Sequence, residues 1–368
     1  MRLGLLRRAL MLAGLRRGLV VDVAAALQPA ALPRIVELRI YPIKSCGAVS
    51  LESCRLGQTG LENDRVFAVV DENGIVQTQR QRRLLATVRP KLDVNADTMT
   101  LSCAANSVPP LTVSLSGRGC AKGIAKTRSG LEMPVFQYDD AVSRWLTSIL
   151  SPSPGVAIKD GAAITVNGGV FGLFAKPPKF HLVRFDAEAG VERRVLDFIG
   201  GDFAKPEDVI AFPDLFPLLL TCTESLDEVN KRLPAGATPA PMDRFRPNII
   251  VSGASEAFDE DAWAVVDVCG TALTFLENDP RCQVPSIDQS TGKSDAAFEP
   301  TTALRQFRRL DNRKGQHGDL ADEGPMFGIY GTHGKARTEL RVGDEIQVVE
   351  RSKGGSLHEH WASKSGAA

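Results

Sequence analysis

What this sequence lacks narrows the choice of function first. It lacks an excess of either charge: lysine plus arginine and aspartate plus glutamate both number 44. Nothing in the net charge therefore draws the chain to nucleic acid. Its seven cysteines, at 46, 54, 103, 120, 222, 269 and 282, include no Cys-x-x-Cys pair. That argues against a disulfide framework or a zinc ribbon and fits a reducing compartment. There is no Gly-x-Gly-x-x-Gly fingerprint and no complete Gly-x4-Gly-Lys-Ser phosphate loop. A long apolar run at the front is missing too, because Arg7, Arg8, Arg16 and Arg17 interrupt the leucines and alanines of residues 1–21. The pieces fall well short of the roughly 20 residues that span a bilayer. No acid appears before Asp22, and an arginine-rich, acid-free segment resembles a mitochondrial transit peptide. We read residues 1–32 as such a segment, favouring import over anchoring.

What is present points to a mostly β (α+β) protein. Its 368 residues suffice for two or three domains at about 100–200 residues each. From Ile35 the chain reads as a strand, in which Ile35, Glu37, Arg39 and Tyr41 alternate with Val36, Leu38 and Ile40. Short runs follow at 65–70, 75–78, 86–88, 99–102 and 111–114, with turn residues such as Asp71 to Gly74 between them. Several short strands at regular spacing predict a barrel or sandwich over residues 33–150. Asp139 to Leu150 closes that region as a helix, Asp139 and Asp140 favouring its start and Val142, Trp145, Leu146 and Ile149 forming one apolar face. Residues 151–178, rich in Gly, Ala and Pro, read as an insertion, either disordered or a hairpin. Residues 179–350 return to strands, at 181–185, 218–221, 249–252, 264–268, 272–276 and 345–349, with a short helix over 225–232 opened by Ser225. The polar tail, 351–368, reads as disordered, with His358 and His360 solvating it.

The chemistry concentrates between Asn278 and Lys293. Cys282 stands behind Arg281, just past the apolar run 272–276 and ahead of an Asp288-x-x-Thr291-Gly292 turn. A thiol at a strand end, with a guanidinium favouring its thiolate, suits a soft or high-valent metal. A buried structural cysteine satisfies the same local pattern. The Asp288 turn reads as a loop shaped by side-chain to backbone hydrogen bonds. Cys46 reads as a packed thiol, and His333, in a Gly-Thr-His-Gly loop, has little to mark it as catalytic.

Several motifs in order decide between the readings of Cys282. Tyr41-Pro42-Ile43-Lys44-Ser45, Asn63-Asp64-Arg65, Phe245-Arg246-Pro247-Asn248, Trp263, Arg281-Cys282 and Phe327-Gly328-Ile329-Tyr330 together resemble the MOSC domain family, in particular its mitochondrial amidoxime-reducing branch and the bacterial relatives. The resemblance runs from about Ile35 to Val349. It implies an N-terminal β-barrel followed by a β-rich MOSC domain, with a molybdenum–molybdopterin cofactor (Moco) between them. It implies Cys282 as metal ligand and catalytic residue, and Lys44, Ser45, Arg65, Arg246, Asn248, Arg281 and Tyr330 as cofactor-binding. The activity implied is reduction of small N-hydroxylated substrates: amidoximes, hydroxylamines and N-hydroxylated bases. With no flavin site and no cysteine-rich iron–sulfur segment in the sequence, electrons are expected from a separate haem cytochrome of the cytochrome b5 type and its flavin reductase. The alternative is a cofactor or sulfur carrier using Cys282 as thiolate or persulfide, as in relatives fused to a pyridoxal phosphate sulfurase domain, which this sequence does not show. The chain departs from the family pattern at Leu215 and Phe216, where relatives often have Thr-Ser, and at Pro280, where a serine is usual.

Overall fold

The first strand leaves its neighbours in sequence and joins the far half of the chain. In the computed structural model, which describes residues 32–105, 108–151, 156–159, 162–165, 178–190, 193–194, 209–308, 324–334 and 338–352, Arg34–Ile40 pairs antiparallel with Ile249–Ser252. It thereby enters an eight-stranded sheet in the order Val49–Leu51, Arg34–Ile40, Ile249–Ser252, Leu218–Cys222, Met326–His333, Thr271–Pro280, Trp263–Val268, Gln347–Arg351. Of the pairs in this sheet only Leu218–Cys222 with Ile249–Ser252 is parallel. Parallel neighbours need a crossover, and the helix Thr223–Lys231 lies within it.

The exchange runs the other way as well. Phe180–Phe185, expected with the second region, is hydrogen-bonded between Phe67–Asp71 and Glu132–Gln137 in a four-stranded sheet completed by Ala121–Lys126. A three-stranded sheet, Val88–Asp93, Thr98–Cys103 and Leu111–Ser114, packs its apolar residues with the helix Asp140–Leu150. The described residues form one contact-dense unit, in which the two sequence regions trade strands.

Two local readings are corrected. Strict alternation fails in the first strand because the register shifts between Ile35 and Glu37. The extra residue changes the parity, so Ile35, Leu38 and Ile40 are buried while Val36 is 43% exposed. The helix expected over 225–232 begins at Thr223, and Ser225 does not cap it. Ser225 Oγ donates to Glu260 Oε2 at 2.8 Å, and Glu260 Oε1 accepts the Cys222 amide at 3.2 Å. A carboxylate distant in sequence thus serves a helix start that has no side-chain cap of its own. The other long helix matches its reading: Asp139 accepts from the amides of Ala141 and Val142 at 2.9 and 3.1 Å, and Val142, Trp145, Leu146 and Ile149 are buried. Helices are few among the described residues, the third α-helix being Thr301–Phe307.

Within 151–178 a hairpin, Val156–Lys159 with Ala162–Thr165, is present. The transit-like segment through residue 31 and the tail from 353, with His358 and His360, lie outside the described residues. No helix of the described residues is long and apolar enough to cross a membrane.

Glu260 gives the fold a pH dependence. It is fully buried, and burial, then Asp261, push its carboxyl up to about 7 from the ordinary 4.5. The folded state binds its proton more tightly than the unfolded chain, so the stabilisation is complete below about pH 4.5 and is lost as pH rises towards 7. Thermal unfolding of the native chain should therefore shift to lower temperature across that window. Glu260→Gln should flatten the slope. It should also cost about 1–3 kcal/mol, because the carboxylate offers a separate oxygen to each of Ser225 and Cys222 and the amide has only one. A slope unchanged in the variant would assign the pH dependence elsewhere.

Candidate functional site

A cleft of about 460 Å³ opens where the turn after the first strand, the start of Phe67–Asp71 and the strand ends of the large sheet meet. Its lining includes all eight residues singled out from the sequence: Lys44, Ser45, Arg65, Arg246, Asn248, Arg281, Cys282 and Tyr330. They are brought together for different tasks.

Arg65 and Arg246 are built around Tyr41, a residue 1% exposed. Their guanidiniums lie over its ring at 4.7 and 4.3 Å, an attraction that strengthens out of water. The fully buried Asp64 accepts the Tyr41 amide at 2.7 Å through one oxygen and pairs with Arg65 through the other. Arg65 also donates to Asn248 Oδ1 at 3.1 Å and to the Arg246 carbonyl at 3.0 Å. Asn248 is committed as well: its Oδ1 also accepts the Leu219 amide at 3.2 Å, and its Nδ2 donates to the Arg39 carbonyl at 3.1 Å. The geometry gives Asn248 the task of aiming Arg65. Arg246 donates to the Cys46 carbonyl at 2.7 Å, but its other terminal nitrogen is buried with no partner. Burial, with Arg65 adding to it, pulls the Arg246 guanidinium down to about 10 despite Tyr41 beside it.

Backbone strain gathers at the same place. Ser45, Arg65 and Arg246 have φ of 68°, 49° and 60°, the left-handed region that non-glycine residues occupy at a cost of about 1–3 kcal/mol each. Lys44 reaches across to donate to the Phe212 carbonyl at 2.7 Å and to pair with Asp214. Burial lowers its pKa while Asp214 opposes the shift.

Cys282 lies two residues beyond the strand Thr271–Pro280, at the end of a rigid element as the sequence indicated. Its sulfur is half-buried and accepts the Val284 amide at 3.5 Å. The preceding peptide is clamped, since Arg281 N donates to the Pro325 carbonyl at 2.9 Å. A Cβ at Gly324 would come within 1.9 Å of the Arg281 carbonyl, so only glycine allows this approach. The Arg281 side chain is spent on structure: it pairs with Asp279, donates to the Phe245 carbonyl and lies over the Phe245 and Phe327 rings at 5.4 and 6.0 Å. It therefore offers the thiol little of the free charge read from the sequence. Cys46, by contrast, is a packed thiol pushed up to about 12 by burial. The Asp288 turn forms as read, Asp288 Oδ1 accepting the amides of Ser290 and Thr291 at 3.0 and 2.8 Å. His333 ends a strand and is not among the cleft-lining residues.

Five contributors were missed. Arg80, from a Thr-Gln-Arg-Gln run without periodicity, comes close enough to the Cys282 sulfur for Cys282, and then Asp214, to raise its pKa against the effect of burial. Arg193 holds the 211–214 segment by donating to the carbonyls of Ala211 and Asp214 at 3.3 and 2.6 Å. Gln79 and Gln289 exchange amide hydrogen bonds at 2.9 and 3.2 Å, joining the barrel side to the cysteine loop. Asp279, 2% exposed, lies near Tyr330 and is pushed up to about 6 by burial against the pull of Arg281. Only Asp279 carried a signal, its position three residues before Cys282. The apolar departures are accounted for: Phe216 is buried and stacks on Tyr330 at 5.1 Å, and Leu215 packs beside it.

Comparison with known proteins follows the same outline. The family profile of the MOSC N-terminal beta barrel domain matches residues 32–153, and that of the MOSC domain matches residues 207–347. Over 311 residues the chain is 29% identical to mitochondrial amidoxime reducing component 2 of Rattus norvegicus, covering 83% of this chain and 80% of the relative. It is 26% identical over 320 residues to mitochondrial amidoxime-reducing component 1 of Homo sapiens, covering 86% and 82%. Molybdenum cofactor sulfurase 2 of Culex quinquefasciatus is 27% identical over 332 residues, 86% of this chain but 37% of that protein.

Asp64 is the point at which this site can be broken selectively. Asp64→Asn leaves the Arg65 guanidinium without its buried counter-charge and should cost about 3–5 kcal/mol in chemical denaturation. A loss under about 1 kcal/mol would show that Asn248 and the Arg246 carbonyl hold Arg65 unaided.

Proposed function

Because this chain belongs to the MOSC family and carries both its N-terminal barrel and its MOSC domain, we propose that it is a molybdenum-cofactor-dependent oxidoreductase reducing N-hydroxylated compounds. The reaction is R–C(=N–OH)NH2 + 2 e− + 2 H+ → R–C(=NH)NH2 + H2O for an amidoxime, and the corresponding N–O cleavage for hydroxylamines and N-hydroxylated bases. The observation that carries this reading is one cysteine sulfur facing a cationic cleft, with a buried guanidinium nitrogen of Arg246 still unpartnered. An anionic pterin dithiolene with a terminal phosphate fits that donor set: it supplies the missing acceptor and takes one protein thiolate. When bound, the cofactor supplies the two-electron chemistry and an exchangeable position for oxygen.

The protein's own residues do the rest. Cys282, held by the clamped Arg281 peptide, is the metal ligand. Lys44, Ser45, Arg65 and Arg246 receive the cofactor's anionic groups, with Asn248 and Asp64 fixing their direction. Arg281 keeps the cysteine loop against Phe245 and Phe327. Tyr330 lines the cleft with Asp279 near it, and the raised Asp279 carboxyl can hold a proton near the reacting oxygen. The two electrons come from a separate protein, a haem cytochrome of the b5 type with its flavin reductase. The arginine-rich segment before Asp22, together with relatives named as mitochondrial, supports a mitochondrial location.

The first test is the molybdenum and pterin content of protein made in a host that synthesises the cofactor, with amidoxime reduction driven by a chemical reductant. Near-equimolar metal and turnover are expected in the native chain. Cys282→Ser should lose turnover and change the metal's X-ray absorption spectrum by one sulfur ligand. Cofactor bound without turnover on any N-hydroxylated compound would favour the carrier reading, in which Cys282 holds a sulfur atom for transfer. Absence of molybdenum from the native protein would reject the reductase and leave the sulfur-carrier reading in front.

A further inference from the structure

The charge lining the cleft is lopsided. Arginines and lysines far outnumber the two carboxylates, Asp214 and Asp279, and each of those is already paired, Asp214 with Lys44 and Asp279 with Arg281. Arg65 is matched by Asp64, and Arg244 lies 3.7 Å from Asp288. Among the described residues no carboxylate pairs with the two remaining guanidiniums on the barrel side, Arg80 and Arg128. Both come from one edge of the four-stranded sheet. The Val76 amide donates to the Lys126 carbonyl at 2.9 Å, which sets the segment leading to Arg80 beside the hairpin tip that carries Arg128. That tip is stiff: Thr127 Oγ1 lies 2.9 Å from Ser129 Oγ and accepts the Leu131 amide at 3.1 Å. Arg80 faces the Cys282 sulfur, and Thr127, Arg128 and Ser129 line the same cleft. The same cleft has an apolar wall, made by Leu215 and by Phe216 stacked on Tyr330.

We infer that Arg80 and Arg128 form an anion subsite that selects, among N-hydroxylated substrates, flat molecules carrying a carboxylate or phosphate. The inference rests on the oxidoreductase reading for its substrate class. The physical argument is local: two guanidiniums that no carboxylate pairs with bind an anion by charge-assisted hydrogen bonds, and the aromatic wall holds the flat body while the anion sets its direction. An anionic group of the cofactor is the other source of the same chemistry, and metal content separates the two.

The test compares benzamidoxime with 4-carboxybenzamidoxime on the cofactor-loaded full chain. It also titrates benzamidine and 4-carboxybenzamidine calorimetrically, which reads the subsite with or without turnover. The native protein should prefer the carboxylated member of each pair by about 10-fold, through KM rather than kcat, and the preference should shrink as salt is raised. Arg128→Ala and Arg80→Ala should each reduce the ratio several-fold, and Arg128→Lys should restore part of it, with molybdenum per chain unchanged in the Arg128 variants. Equal binding of the two amidines by the native protein would overturn the subsite, as would a preference that survives the double alanine variant. A parallel fall in molybdenum in the Arg128 variants would assign the guanidiniums to the cofactor and overturn it too. Carboxylate-selective amidine binding without reduction of either amidoxime would uphold the subsite and reject the reductase.

Discussion

The site depends on one buried carboxylate. Asp64 accepts the amide of Tyr41 at the end of the first strand and balances the charge of Arg65 in the next loop. An uncompensated guanidinium at that depth would be very costly. With Asp64 in place it becomes the support for a stack in which the Tyr41 ring carries both Arg65 and Arg246. Through Asn248 the same stack reaches the amide of Leu219 and the carbonyl of Arg39. The cations of the cleft are thus fixed to three strands of the large sheet before any ligand arrives. Such preorganisation moves the ordering cost from binding to folding.

The trading of strands explains why this support is rigid. Were the barrel and the second region separate bodies, Lys44 and Arg246 would come from opposite sides of a movable joint. Instead Arg34–Ile40 is hydrogen-bonded into the sheet that carries Asn248, and Phe180–Phe185 is hydrogen-bonded into the barrel. Smaller links reinforce the seam. Arg89 donates to the carbonyls of Ala86 and Gln289, and a Cβ at Gly47 would approach its guanidinium to 2.5 Å. The Gln79–Gln289 pair closes beside it.

Legibility followed the range of the interaction. Elements governed by local pattern were readable: the helix with Asp139 at its head, the strands around 218–222 and 249–252, and the cysteine just past a strand end. The cleft residues could be named because their motifs occur in a family's order, although no local rule brings Lys44 to Phe212 or Arg246 to Cys46. What escaped was set by contacts distant in sequence. Glu260 replaces Ser225 at a helix start 35 residues away, and a register shift inverts the inside and outside of the first strand. The role of Arg281 was misread for a similar reason. Proximity to Cys282 in sequence suggested a charge serving the thiol, but Asp279 and the Phe245 carbonyl take the guanidinium and Arg80 faces the sulfur instead.

The departures at Leu215 and Phe216 follow from the same packing. A hydroxyl at 216 would face an aromatic ring, Tyr330, which lies near Asp279. Phenylalanine there covers the ring, adds apolar surface and dries the setting of Tyr330 and Asp279, where their electrostatic interaction is stronger. Burial raises the Asp279 carboxyl to about 6 even with Arg281 against it, so a protonated minority persists close to neutral pH. Replacing a polar pair by an apolar one thus gives up two donors to a cofactor and gains a flat wall beside a proton-holding carboxyl.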